Sequence, residues 1–192
     1  MMIGNPAVFA IESEITRAYE SLGLRALGFF VLHIGGRRYG VHEPDATMLA
    51  NSFDEVQERI ASRDKHTAPF ASEPDGGTIA DAFRNAIYSD KQEERFFGIP
   101  LAEFCEFFYM PSNVMWAPDG DEAFDDGSYV LQFDVDRRVR LIAFKSDQGY
   151  RHASGTLSDV WLPADDFYNV LYEWRDAFDA EWMASPKFPE TS

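Results

Sequence analysis

The stretch Ala26-Leu27-Gly28-Phe29-Phe30-Val31-Leu32-His33-Ile34-Gly35-Gly36-Arg37-Arg38-Tyr39-Gly40-Val41-His42 decides the fold class. Ala26–Ile34 reads as a strand with apolar residues on both faces. Gly35-Gly36 reads as a tight hairpin turn, because glycine accepts the positive φ that such turns require. Arg37–His42 returns as the next strand. Upstream, Ala7–Thr16 alternates with period two: Phe9, Ile11 and Ile15 on one side, Glu12, Glu14 and Thr16 on the other. These segments predict an N-terminal antiparallel meander.

Working outward, Leu49, Phe53, Val56 and Ile60 predict a helix over Thr47–Ser62, with Asp54, Glu55, Glu58 and Arg59 polar. His66–Thr78 holds two prolines and a Gly-Gly pair and reads as a loop, and Thr78 is the expected cap of a helix over Ile79–Tyr88. The aromatic-dense Phe96–Met110 fits a strand and a short helix equally, and Pro111–Gly127 reads as turn. A second hairpin is expected from Tyr129–Val135 and Val139–Phe144, bending at Asp136-Arg137-Arg138, with a further strand at Leu157–Leu162. The final helix starts at Asp165 or Asp166 and carries one apolar stripe, Phe167, Leu171, Trp174, Phe178 and Trp182. Strands paired as hairpins favour an α+β fold. The expectation is an antiparallel sheet built from hairpins with helices packed on one face, including a long C-terminal amphipathic helix. It forms a single domain over residues 1–192, with 186–192 a frayed tail.

Composition bounds the function. The 192 residues carry 17 basic and 33 acidic side chains, a net charge of −16. Aromatics make up 15% of the chain, so it is globular rather than an acidic disordered segment. Nucleic acid and anionic membrane surfaces are disfavoured partners for such a polyanion. A basic protein partner fits, and so does plain acidity for solubility. The charge is uneven: residues 1–96 hold 10 basic and 15 acidic side chains (−5), and residues 97–192 hold 7 and 18 (−11). No basic-then-apolar leader opens the sequence and no apolar run approaches membrane-spanning length, so a cytoplasmic location is expected.

The chemistry-bearing motifs give little. No phosphate-cradling glycine loop, His-Glu-x-x-His or Cys-x-x-Cys is present. The single cysteine, Cys105, lies in an acidic and aromatic setting that works against thiolate formation, so it reads as a packed structural residue. Asp119-Gly120-Asp121-Glu122-Ala123-Phe124-Asp125-Asp126-Gly127 is rich in carboxylates, but Ala123 and Phe124 stand where a calcium loop needs ligands. No metal and no cofactor is expected. As an epitope this loop offers Phe124 as an apolar anchor within a rim of Asp119, Asp121, Glu122, Asp125 and Asp126. Asp176 and Asp179 on the last helix are further contact candidates. Glu12 and Glu14, with His33 and His42 nearby across the turn, form an alternative polar site for a small enzyme; the same residues also read as an ordinary solvated sheet face. A third reading is a subunit that oligomerises through aromatic surfaces.

The segment Gly4-Asn5-Pro6-Ala7-Val8-Phe9-Ala10-Ile11-Glu12-Ser13-Glu14-Ile15 resembles the opening of immunity protein family 42, and Gly28–Phe30 through Gly35-Gly36 to Tyr39-Gly40 fits the same pattern. The hairpin over Ser128–Phe144 is compatible with it. The resemblance implies a member of a bacterial polymorphic toxin system that binds and neutralises a cognate toxin protein. It supplies no catalytic residues, so no enzyme is expected. Combined with the acidity, it points to a toxin basic at its contact surface, one directed at nucleic acid or nucleotides.

Overall fold

A computed structural model describes residues 1–90, 93–109, 113–116, 121–146 and 151–189. The meander is present and longer than the alternation suggests. β1 (Met2–Asn5) pairs antiparallel with β2 (Phe9–Tyr19), β2 with β3 (Ala26–Ile34), and β3 with β4 (Arg37–Tyr39). Gly35 and Gly36 have φ of 60° and 77°, the two positive angles a type I′ turn demands. β2 runs past Thr16 because a bulge between Ile15 and Arg17 shifts the register. Before the bulge odd-numbered residues point inward; after it Ala18 does. β5 (Thr47–Met48) pairs with β3, so the helix expected from Thr47 begins two residues later as α1 (Leu49–Ala61).

α2 spans Gly76–Tyr88, earlier than expected, because the cap is Asp75 and not Thr78. The Asp75 carboxylate accepts from the Gly77 N–H at 3.0 Å and from the Thr78 hydroxyl at 2.7 Å. The aromatic segment resolves into both alternatives in turn: a small hairpin, β6 (Arg95–Phe96) and β7 (Ile99–Pro100), followed by α3 (Leu101–Glu106). β8 (Ser128–Val135), β9 (Arg138–Lys145) and β10 (Ser158–Pro163) form an antiparallel three-stranded sheet. Residues 113–116, expected as turn, run along the free edge of β8: Trp116 N–H donates to the Val130 carbonyl and Gln132 N–H to the Val114 carbonyl. α4 (Ala164–Ala184) follows, and all five residues of its expected stripe are buried. Of the terminal segment expected to fray, Lys187–Phe188 forms β11, parallel to Ala18–Tyr19 of β2, and 190–192 lie outside the described residues.

The strands thus divide between two principal sheets in a mixed α+β architecture, and alternation along the second sheet builds two cores. One face of it, including Val130, Val139, Leu141 and Ala143, meets the first sheet, α1 and α4 around Phe30, Phe53, Phe167 and Trp174. The other face, including Leu131, Phe133, Ile142 and Phe144, meets α2 and α3 around Phe70, Phe83, Phe104 and Phe108. Because both faces are covered, every residue of β8 before Val135 is buried, Ser128, Gln132 and Asp134 included.

Polar clamps lock these layers. Arg59 on α1, fully buried, donates to Glu55 (2.7 Å), to Gln132 Oε1 (3.1 Å) and to the Met115 carbonyl (2.6 Å), and lies over the Trp116 ring. Burial lowers the guanidinium pKa and the Glu55 charge works against that shift. Tyr168 of α4 donates to Asp134, and Gln132 bonds both. At the far end of α4 the Trp182 indole N–H donates to the Tyr19 carbonyl (3.0 Å) and the Arg25 carbonyl (2.8 Å), pinning the β2–β3 loop.

Candidate protein-binding surface

The acidic segment after residue 120 folds as a short 3-10 helix, Glu122–Phe124. Asp121 caps it, accepting from the Ala123 N–H at 3.0 Å. Asp126 accepts from the Ser128 N–H and pairs with the Lys145 ammonium at 2.5 Å, so it fastens the loop to β9. Glu122 and Asp125 are exposed. Asp119 lies outside the described residues. The expectation for Phe124 is corrected: it is only 6% exposed and packs in the main core with its ring 6.4 Å from that of Phe30. An aromatic inside an acidic run looks like an anchor when its burial is unknown; here the 3-10 turn aims it inward and leaves the carboxylates outside.

This segment lies beside α1. Burial raises the pKa of Glu55, Arg59 opposes that shift, and the charges of Glu58 and Asp121 add to it. Burial likewise raises the pKa of Asp121, its cap bond to Ala123 opposes it, and Asp125 and Glu122 add to it. The charge at the cap of the 3-10 helix therefore reaches Glu55 of α1. Asp54 and Glu58, one helical turn apart, are exposed along the outer ridge of α1. On the far side of that ridge α1 meets α4, and Arg25, Phe53, Gln57, Asp176, Asp179 and Met183 line a groove of about 510 Å³. Asp176 and Asp179 are thus together, but each is partly compensated: Asp179 accepts from Arg25 at 3.2 Å and Asp176 from Arg175 at 2.8 Å. Asp54, Glu58, Glu122 and Asp125, by contrast, have no ion pair among the described residues.

Residues 1–177 match the family model described as immunity protein 42. The chain belongs to the immunity protein 42 family. No curated protein matches it. Among solved structures it is similar to one titled crystal structure of CdiI from Burkholderia dolosa AUO158, at 17% identity and a TM-score of 0.55, covering 92% of this chain and 99% of that chain. That likeness is one of fold.

In this immunity protein 42 family member the alternative polar site is partly assembled. Glu12 is opposite Val31 on β3, two residues from His33, and the Gly40–His42 segment folds back over the same face. His33 Nε2 lies 2.8 Å from one Glu12 oxygen and His42 Nε2 3.3 Å from the other, with the His42 ring 4.4 Å from that of Phe29. Burial alone raises the Glu12 pKa, but hydrogen bonds and charge from the two histidines outweigh it and hold the carboxyl below its ordinary value. Glu14 is exposed and does not join them. Each imidazole places its Nε2 on a different oxygen of the same Glu12 carboxylate, and among the described residues no three His, Cys, Asp or Glu side chains are grouped to hold a metal ion. Cys105 is half-buried and burial raises its thiol pKa. No helix among the described residues is long and apolar enough to cross a membrane.

Sequence reading placed Asp54, Glu55 and Glu58 on a polar helix face and went no further. Their acidic spacing was visible; their adjacency to a loop more than sixty positions away was not.

Proposed function

We propose that this chain binds a cognate toxin and neutralises it in interbacterial competition, docking through the acidic face made by Glu122 and Asp125 of the 3-10 segment and Asp54 and Glu58 of α1. The observation that carries the reading, beyond family membership, is that Glu122, Asp125, Asp54 and Glu58 are exposed and have no ion pair among the described residues, and that they lie near buried Glu55, on which Glu58 and Asp121 act as like charges. Such repulsion opposes stability in the free chain and is relieved when a basic surface arrives. The toxin is therefore basic at its contact surface, as expected of one acting on nucleic acid or nucleotides. Covering that basic site blocks it, and the chain needs no catalytic group of its own.

The test is association kinetics with the toxin domain encoded beside this chain. Reversal of Glu122, Asp125, Asp54 and Glu58 to lysine is expected to slow association roughly tenfold or more at low salt, with a smaller difference at high salt. An association rate unchanged by the reversals removes this face from the interface.

A second reading, a small enzyme using the β2–β3 face, keeps Glu12, His33 and His42, because a carboxylate that orients imidazoles is a proton-transfer arrangement. It would be favoured if Glu12→Gln abolished protection while toxin binding stayed intact.

A further inference from the structure

The segment Gly40–His42 ties together two features that are far apart in the chain. At one end the His42 imidazole meets Glu12 at 3.3 Å and lies against the Phe29 ring, centroids 4.4 Å apart, while His33 takes the other Glu12 oxygen at 2.8 Å. At the other end the Val41 N–H donates to the Ala123 carbonyl at 2.8 Å and the Gly40 N–H to the Ser128 hydroxyl at 3.2 Å. Ala123 is the middle residue of the acidic 3-10 segment; it is buried, and its own N–H goes to Asp121. The turn that presents Glu122 and Asp125 is therefore held on one side by its cap and on the other by this strap.

The close approach requires Gly40. Its φ is 112°, a value that favours glycine, and a Cβ there would stand 2.9 Å from the Ala123 carbonyl oxygen and 3.1 Å from that of Phe30. The anchor of the strap can titrate. An imidazole that donates its Nε2–H to Glu12 takes a second proton on Nδ1 without giving up that bond, and the bond becomes charge-assisted. Histidine ordinarily makes this change near pH 6.5. The Glu12 carboxyl, held below its ordinary pKa, stays ionised there. Other charged groups on or beside this face act on the imidazoles too. Arg38, opposite His33 on β4, opposes their protonation. Glu14 on β2, Glu43 next to His42, Asp45 held by the Thr16 hydroxyl, and Asp121 and Glu122 of the 3-10 segment favour it. β1 contributes uncharged Met2 opposite Glu12.

We infer that Gly40–His42 is a histidine-anchored strap that positions the acidic 3-10 segment for the toxin and tightens as its imidazoles protonate. Glu12, His33 and His42 are then positioning residues of the docking face. This rests on the toxin-binding reading above.

The experiment compares wild type with Glu12→Gln, which keeps the hydrogen-bonding atoms and removes the charge, at pH 6 and pH 8. In the free chain, hydrogen exchange at the Val41 amide reports opening of the strap. It is expected to be roughly threefold faster or more in the variant at pH 6, with a smaller difference at pH 8. The Gln132 amide, bonded to the Val114 carbonyl in the second sheet, is expected to exchange alike in both. Dissociation of the toxin domain encoded beside this chain is expected to be faster from the variant at pH 6, again with a smaller difference at pH 8; titration of the toxin itself is common to both chains. A Val41 difference that is absent, or equal at the two pH values, overturns the titrating strap. A Val41 difference at pH 6 with unchanged toxin dissociation overturns its link to docking and leaves the toxin-binding reading standing. A wild-type chain that does not bind the toxin domain overturns that reading and the docking role with it, while Val41 exchange still decides whether the strap titrates.

Discussion

Asp121 shows how one side chain can order a turn and still carry an electrostatic cost. It caps the 3-10 turn that buries Phe124, and it pays into the carboxylate crowd beside Glu55. Its folded pKa is raised, so the folded state holds the proton more tightly than the unfolded chain. Stability therefore falls as pH climbs from the ordinary carboxylate range through the raised value, and returns on acidification. Asp121→Asn keeps an oxygen for the Ala123 N–H and removes the charge. Thermal unfolding is expected to show the variant at least as stable as wild type near neutral pH, with the difference shrinking toward acid; a variant less stable at neutral pH contradicts this account. Residues also mark where sequence reading ran out. His33 and His42 were legible as neighbours across the Gly35-Gly36 turn, whereas their meeting on Glu12 depends on the β2–β3 register, which that turn does not set. The inward aim of Phe124 and the Arg59–Gln132 clamp were not, since both depend on contacts between segments far apart in the chain.

Elements were legible where one periodicity ran uninterrupted. β3 and the α4 stripe emerge as expected because each faces a constant environment along its length. Reading failed at phase breaks. The bulge after Ile15 inverts the alternation, so β2 seemed to stop at Thr16. Residues 113–116 show no strand pattern because they only line the edge of β8. The bulge has a physical cost that Gly28 absorbs. A Cβ on Gly28 would sit 1.9 Å from the Glu14 carbonyl oxygen and 2.9 Å from Leu49 Cδ1. Neither the backbone of β2 nor the buried Leu49 has room to retreat. Gly28→Ala is expected to destabilise the fold by about 3 kcal/mol, the upper part of the range for overpacking, read as a lower denaturant midpoint. A midpoint equal to wild type would mean that β2 and β3 part more easily than their register suggests.

At the scale of the molecule, two cores share one central sheet, and α1 and α4 belong to the core that joins both sheets. The α+β class and the C-terminal helix were readable from hairpin signals and one stripe. The division into two sheets was not, because local alternation carries no information about which hairpins share a ladder. The concentration of acid in the second half of the sequence told only half the story of the charge: the folded acidic face also draws on Asp54 and Glu58 from the first half. The proposed docking to a cation-rich partner follows from the net charge of −16 and from the exposed carboxylates of that face. The most direct measurement is growth of cells expressing the toxin domain encoded beside this chain, with and without co-expression of the chain. The account predicts growth restored by the wild-type chain and lost again when Glu122, Asp125, Asp54 and Glu58 are reversed to lysine. Growth arrest that the wild-type chain does not relieve would contradict it.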